Sequence, residues 1–194
     1  MSTHVITGKV RLSYANLFTP RQNDDGTEGK YGVMLLIPKS DKTTLTNIKK
    51  AIEAAKEDGR TRLWSGKIPS NLKLPVRDGD EEHPEDTTYE GMYFMNVSAK
   101  TKPGVAKLAG KREDGTPILE TVTDSTQVYS GCYAKVSINF FAYQNSGNKG
   151  ISAGLNNVVK VADGEMLGGR ARVEDEFAAV DFGDIDFEDE EELF

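Results

Sequence analysis

Five cations, Lys100, Lys102, Lys107, Lys111 and Arg112, fall within thirteen residues that contain no acid. A run of this kind suits contact with a polyanion, because closely spaced positive charges neutralise successive phosphates. Lys9 and Arg11 alternate onto one face of an amino-terminal strand pattern, and Arg60, Arg62 and Trp64 form a second cationic and aromatic cluster. Lys135 shares a strand face with Tyr133, Phe141 and Tyr143. Cations that follow a phosphate backbone, interleaved with rings that stack on bases, are the parts that single-strand binding requires. Stacking contributes ~1–3 kcal/mol per base and works for every base. This reading assigns Lys9, Arg11, Arg62, Lys100, Lys102, Lys107, Lys111, Arg112 and Lys135 to the backbone, and Trp64, Tyr133, Phe141 and Tyr143 to stacking. Any one of them taken alone is equally a surface cation or a ring packed beneath a loop; the clustering carries the argument.

Other chemistries find little support. His4, His83 and Cys132 are the only imidazoles and thiol, so no zinc-finger or histidine-cluster spacing can be built. Asp78, Asp80, Glu81 and Glu82 could attract a divalent cation, but they lack EF-hand spacing and read as a solvated acidic loop. The stretch GVAKLAGKR (104–112) has five residues between its glycines where a phosphate loop needs four, and Arg112 stands where Ser or Thr would hold magnesium. Cys132 lies on the apolar side of its strand and reads as a core thiol. The expectation is a binding protein rather than an enzyme, with no cofactor and no metal. Two rival readings are an acidic protein-interaction module or DNA mimic, and a nuclease on an OB-like scaffold.

The charge is unevenly spread. The 24 basic and 31 acidic residues give a net charge of −7, yet eleven of the acids lie in residues 174–194, which carry no Lys or Arg. Without them 24 basic residues face 20 acidic ones, a net of +4. Phe177, Phe182, Phe187 and the terminal Phe194 stand singly among those acids. The composition predicts a disordered acidic tail. Solubility alone would not require the rings. Carboxylates and rings can imitate phosphates and bases in the body's own groove, or dock on a basic, apolar pocket of another protein.

The elements that must position these residues are mostly strands. Residues 5–14 alternate, with Ile6, Val10, Leu12 and Tyr14 on one face and Thr7, Lys9, Arg11 and Ser13 on the other. A polar loop over 20–30 precedes a nearly continuous apolar strand over 31–37. Leu45, Ile48, Ile52 and Ala55 predict one helix, capped by Ser40, Asp41 or Thr43 and closed at Gly59. Residues 60–90 are irregular. Alternation returns at 92–101, weakly at 117–123, and most clearly at 132–143, followed by a hairpin loop at 144–150 and a partner strand at 151–161. No run of about 18 apolar residues predicts a membrane span. The start MSTHVITGKV lacks the layout of a secretory leader, and a lone cysteine fits a reducing compartment. The pattern predicts a mainly β, OB-fold-type Greek-key barrel with one helix between early strands and long loops. The barrel is expected over residues 1–170, with the acidic tail over 171–194.

The segments RLSYANLFTP (11–20), KYGVMLLIPKSDKTT (30–44) and VYSGCYAKVSINFFAYQNSGNKGISAGLNNVVKVADGEMLGGR (128–170) resemble those of single-stranded-DNA-binding proteins of tailed bacteriophages. That resemblance implies an OB fold, sequence-independent binding of single-stranded DNA, and a role in phage DNA replication or recombination in the cytoplasm of a bacterial host. The tail is similar to those of bacterial and phage single-strand binders, which end in acids and an aromatic. By that likeness Phe187, Asp189, Glu190, Glu191, Glu192, Leu193 and Phe194 would dock replication or recombination proteins. A homodimer is compatible with this reading.

Overall fold

Period-two burial organises the chain. The computed structural model describes residues 1–168, 177–181 and 183. Its elements run β1 (His4–Ile6), β2 (Val10–Asn16), β3 (Tyr31–Pro38), α1 (Lys42–Arg62), β4 (Arg77–Asp78) and α2 (Gly79–Glu82). A 3-10 turn at Thr87–Tyr89 follows, then β5 (Met92–Ala99), β6 (Gly104–Lys111), β7 (Pro117–Thr121), β8 (Tyr133–Asn145) and β9 (Asn148–Ala162). Among the described residues no helix is long and apolar enough to cross a membrane.

Five strands close a ring. β2 pairs with β3, β3 with β5, β8 with β9 and β2 with β8, all antiparallel. The ring closes where β5 meets β9 in parallel at Ser98 and Gly154. This is the expected OB-type barrel, with its one long helix between β3 and β5. β6 continues in parallel along β9, and β7 forms the outer edge beyond it. On β8 the residues Ala134, Val136, Ile138, Phe140 and Ala142 all point into the core beside Cys132. Their alternation leaves Tyr133, Lys135, Ser137, Asn139, Phe141 and Tyr143 on the outer face. The β8–β9 hairpin turns on Ser146 and Gly147, with φ of 48° and 81°. Two residues at positive φ match the right-handed strand twist of a tight hairpin.

The first strand departs from expectation. Thr7 is buried and Ile6 exposed, because the strand is interrupted at residues 7–9 and the inward face changes register. Thr7 replaces a ladder partner there: its N–H donates to the Val136 carbonyl at 3.0 Å, and its hydroxyl oxygen accepts from the Val136 N–H at 3.0 Å.

Asp41 caps α1, its carboxylate accepting from the Thr44 N–H at 3.1 Å. The helix does not close at Gly59. Gly59 lies in its buried face, where a Cβ would stand 2.5 Å from the Ala142 Cβ and 2.8 Å from the Trp64 ring. The missing side chain lets the helix approach β8, and the chain leaves the helix only after Arg62. Residues 60–90 fold as short elements. There Lys39 Nζ donates to Asp78 at 2.7 Å and to Asp80 at 2.8 Å. Those hydrogen bonds hold both carboxyls below the usual carboxylate range. The acidic loop is therefore tied to a lysine.

Of the expected tail, Phe187, Asp189, Glu190, Glu191, Glu192, Leu193 and Phe194 lie outside the described residues.

Candidate nucleic-acid interface

Residues 17–30 fold back on the barrel and wall a groove over β3 and β5. The loop is cinched at its base, where the Arg21 N–H donates to the Lys30 carbonyl at 3.0 Å. The groove holds about 860 Å³ and is lined by Tyr14, Arg21, Lys30, Tyr31, Asn96 and Lys100, among others. Its floor is low because pairing sets Gly32 beside Ser98, and Ser98 beside Gly154. Three cations face two acids here, Asp24 and Glu28, which belong to the same loop wall.

Tyr14 is the most unusual residue of this face. The pattern places it inside with Val10 and Leu12; instead it is 69% exposed. A register shift between Ser13 and Asn16 turns it out of the barrel, and its φ is 47°. A bulky side chain in the left-handed region is disfavoured by about 1–2 kcal/mol. Strain of this sort is retained where the surroundings hold it and concentrates at binding sites. Tyr14 also borders a second hollow of about 320 Å³, lined by Ser13, Asp86, Thr88, Tyr89, Ser130, Leu167 and Gly168. One ring thus stands between two concavities on the same outer face.

The expected site residues fall into separate groups. Lys100 lines the groove, and Lys102 lies at the loop root with Nζ 5.8 Å from the Phe18 ring. Phe141 is 44% exposed and its ring lies beside Gly154, so the small-residue floor leads from the groove toward it. Tyr143 is half-buried on the same face, packed beside Gly150. Tyr133 lies eight residues along β8 from Phe141, roughly 26 Å at strand rise. It gathers Lys9, with Nζ 4.7 Å from the ring, and Arg11, with Cζ 5.8 Å from it; Lys135 is exposed one step further along that face. These residues make a second cationic and aromatic patch. They do not join the groove in one stack.

Four expectations meet a competing structural use. Trp64 is only 6% exposed and packs in the core against Gly59, so it presents no face for a base. Arg62 is held by Asp58 on the same helix turn, and its hydrogen bonds draw the Asp58 carboxyl below its ordinary value. Arg11 is half-buried, with Nε donating to the Gly131 carbonyl at 3.1 Å and Nη2 to the Glu165 carbonyl at 2.6 Å. Lys107 donates to Gln127 at 3.3 Å and pairs with Glu120 at 3.6 Å. Lys111 and Arg112 are exposed at the tip of the β6–β7 hairpin, where Arg112 also donates to Thr116 and Pro117 of its own turn.

Tyr14, Arg21, Lys30 and Tyr31 were missed by pattern reasoning. The adjacent pair Lys30–Tyr31, at the end of a polar loop, sets a cation next to a ring in sequence but not on one strand face, the pattern that marks Tyr133 and Lys135. Tyr14 gave no such signal, since nothing local announces the register shift.

The family model described as Enterobacter phage Enc34, ssDNA-binding protein, matches residues 3–193. Protein p50 of Acyrthosiphon pisum secondary endosymbiont phage 1 is 31% identical over 194 residues, covering 95% of both chains. The solved single-stranded DNA-binding protein of bacteriophage Enc34 in complex with ssDNA aligns with a TM-score of 0.70 at 28% identity. That alignment covers 86% of this chain and 90% of that one. Gp2.5, the single-stranded DNA binding protein encoded by bacteriophage T7, aligns with a TM-score of 0.54 at 18% identity over 90% of this chain and 92% of its own. That second likeness is one of fold. The match across nearly the whole sequence and the shared barrel place this chain in the Enterobacter phage Enc34 ssDNA-binding protein family.

Proposed function

We propose that the chain binds single-stranded DNA without regard to sequence, along the groove between the 17–30 loop and the outer faces of β3 and β5. The observation that carries this reading is Tyr14, a ring held out in a strained conformation at a groove whose other walls supply Tyr31, Arg21, Lys30 and Lys100. Rings for stacking and cations for phosphates are then presented together, which is what sequence-tolerant binding needs. Membership of a phage ssDNA-binding family supports the same reading. A binding role fits the state of the groups nearest to chemistry: Cys132 is buried with its thiol pushed up by desolvation, and Asp78 and Asp80 are engaged by Lys39.

The finer reading adds a division of labour, set in phage DNA replication or recombination in a bacterial cytoplasm. Residues 1–170 form the DNA-binding barrel. The acidic stretch 171–194 opposes DNA electrostatically and recruits replication or recombination proteins. Two measurements test the two halves. Fluorescence anisotropy with an oligothymidine and a duplex of equal length should favour the single strand; equal affinity would refute the groove reading. Replacing Glu174, Asp175, Glu176, Asp181, Asp184 and Asp186 by Gln and Asn in the full chain should tighten single-strand binding at low salt. Unchanged affinity would remove the opposing role and leave the groove untouched.

A further inference from the structure

A different face of the barrel offers a second binding site. Between α1 and the stretch 74–76 runs a groove of about 450 Å³ that shares no lining residue with the two hollows at Tyr14. Its floor is apolar, built from Leu45, Ile48, Ile52, Leu74, Val76 and Tyr93. Leu74 remains 47% exposed there. Lys42, Lys49 and Lys56 follow each other at seven-residue intervals along one stripe of α1 and form its rim. Lys56 pairs with Glu53 at 2.7 Å, whereas Lys42 and Lys49 make no ion pair among the described residues.

We propose that this groove takes the terminal segment 188–194 of the same chain. An apolar trough under a cationic rim fits a peptide that is acidic and apolar at once, and EDEEELF is five acids followed by Leu193 and Phe194. The dimensions agree. Seven extended residues span about 23 Å, and the fourteen positions from Lys42 to Lys56 rise about 21 Å along a helix. The segment also reaches. Gly168 and Glu188 are twenty residue steps apart, up to roughly 66 Å when extended, against a barrel of about 15 Å radius of gyration. Tethering raises the local concentration of the segment to the millimolar range, which favours its own chain over a second copy. A nucleic-acid backbone suits the site poorly, since it would meet the lysines and leave the apolar floor uncovered. The opposing role falls to the acids of 174–186, so this site adds to that role and does not depend on it.

The test uses the full chain and no DNA. A nitroxide is attached at Glu191→Cys, with the buried Cys132 left unmodified, and amide signals of the isotope-labelled protein are followed. The expected result is loss of intensity at Leu45, Lys49, Ile52, Leu74, Val76 and Tyr93, unchanged on dilution with unlabelled chain. Lys42→Glu with Lys49→Glu should restore those signals while the barrel spectrum stays in place, and Phe194→Ala should restore them too. The proposal is overturned if the α1 signals keep their intensity or the loss centres on Tyr14, Tyr31 and Lys100. Loss that appears only between separately labelled chains, which would mean a second copy, overturns it as well.

Discussion

The Arg11 guanidinium donates to the Glu165 backbone carbonyl at 2.6 Å, tying strand β2 to the segment that leaves β9. The same segment is held twice more. The Leu167 N–H donates to the Ser130 carbonyl at 2.8 Å, and the Leu167 side chain packs on the small apolar cluster of Leu36, Tyr89 and Phe94 outside the barrel. Leu167 and Gly168 border the hollow next to Tyr14, so the segment that leaves β9 passes beside that ring. Arg11→Met should lower stability by about 1.5–3 kcal/mol, the usual worth of hydrogen bonds from a charged donor. Urea unfolding would measure it. No change in midpoint would mean the clamp is incidental.

Tyr14 offers a prediction in which stability and binding move in opposite directions. Tyr14→Gly removes a side chain from a left-handed position and should raise stability by about 1 kcal/mol. The same change removes a stacking surface and should weaken single-strand binding by ~1–3 kcal/mol. Tyr14→Phe keeps the ring and should change neither by much. A glycine variant that unfolds earlier and binds as tightly as the parent would show Tyr14 to be structural only.

How far the sequence discloses this arrangement depends on the range of the forces involved. The face of β8 was legible because alternation is local, and the start of α1 was legible because Asp41 stands before Leu45 and Ile48 at helical spacing. The end of α1 was not. Gly59 looks like a helix stop, and only the approach of Ala142 from β8, with Trp64 folding back past the helix end, makes it an interior contact. Trp64 changes role for the same reason: beside Arg60 and Arg62 it reads as a surface ring, yet the glycine makes room to bury it. The groove was hidden more deeply. It depends on residues 17–30 folding back onto β3 and β5, and on a register shift at Tyr14, and neither follows from the periodicity of any one strand.

The Lys39, Asp78 and Asp80 group sets a pH dependence. Both carboxyls titrate below their ordinary range in the folded protein, chiefly through hydrogen bonds from Lys39. Unfolded Asp titrates near pH 3.9, so the unfolded chain binds more protons between that value and the lower folded ones. The contribution of the group is therefore complete above about pH 4 and lost as pH falls through the folded values. Urea midpoints taken from neutral to acid pH should fall in that window, and Lys39→Met should flatten the fall. An unaltered acid limb in the variant would assign the loss to other carboxylates.

Salt dependence separates the groove from the hairpin. Each cation that neutralises a phosphate of a single strand steepens the slope of log affinity against log salt by about 0.7. Arg21, Lys30 and Lys100 line one groove, so replacing all three by Ala should make the slope shallower by roughly 2. Lys111 and Arg112 lie at the hairpin tip, and Arg112 is engaged by Thr116 and Pro117 of its own turn. Replacing these two should leave the slope where it was. Both variants carry exposed substitutions, and circular dichroism would confirm that the barrel is retained. If the hairpin variant shallows the slope and the groove variant does not, DNA runs along β6 and β7, and the basic residues of 107–112 carry it.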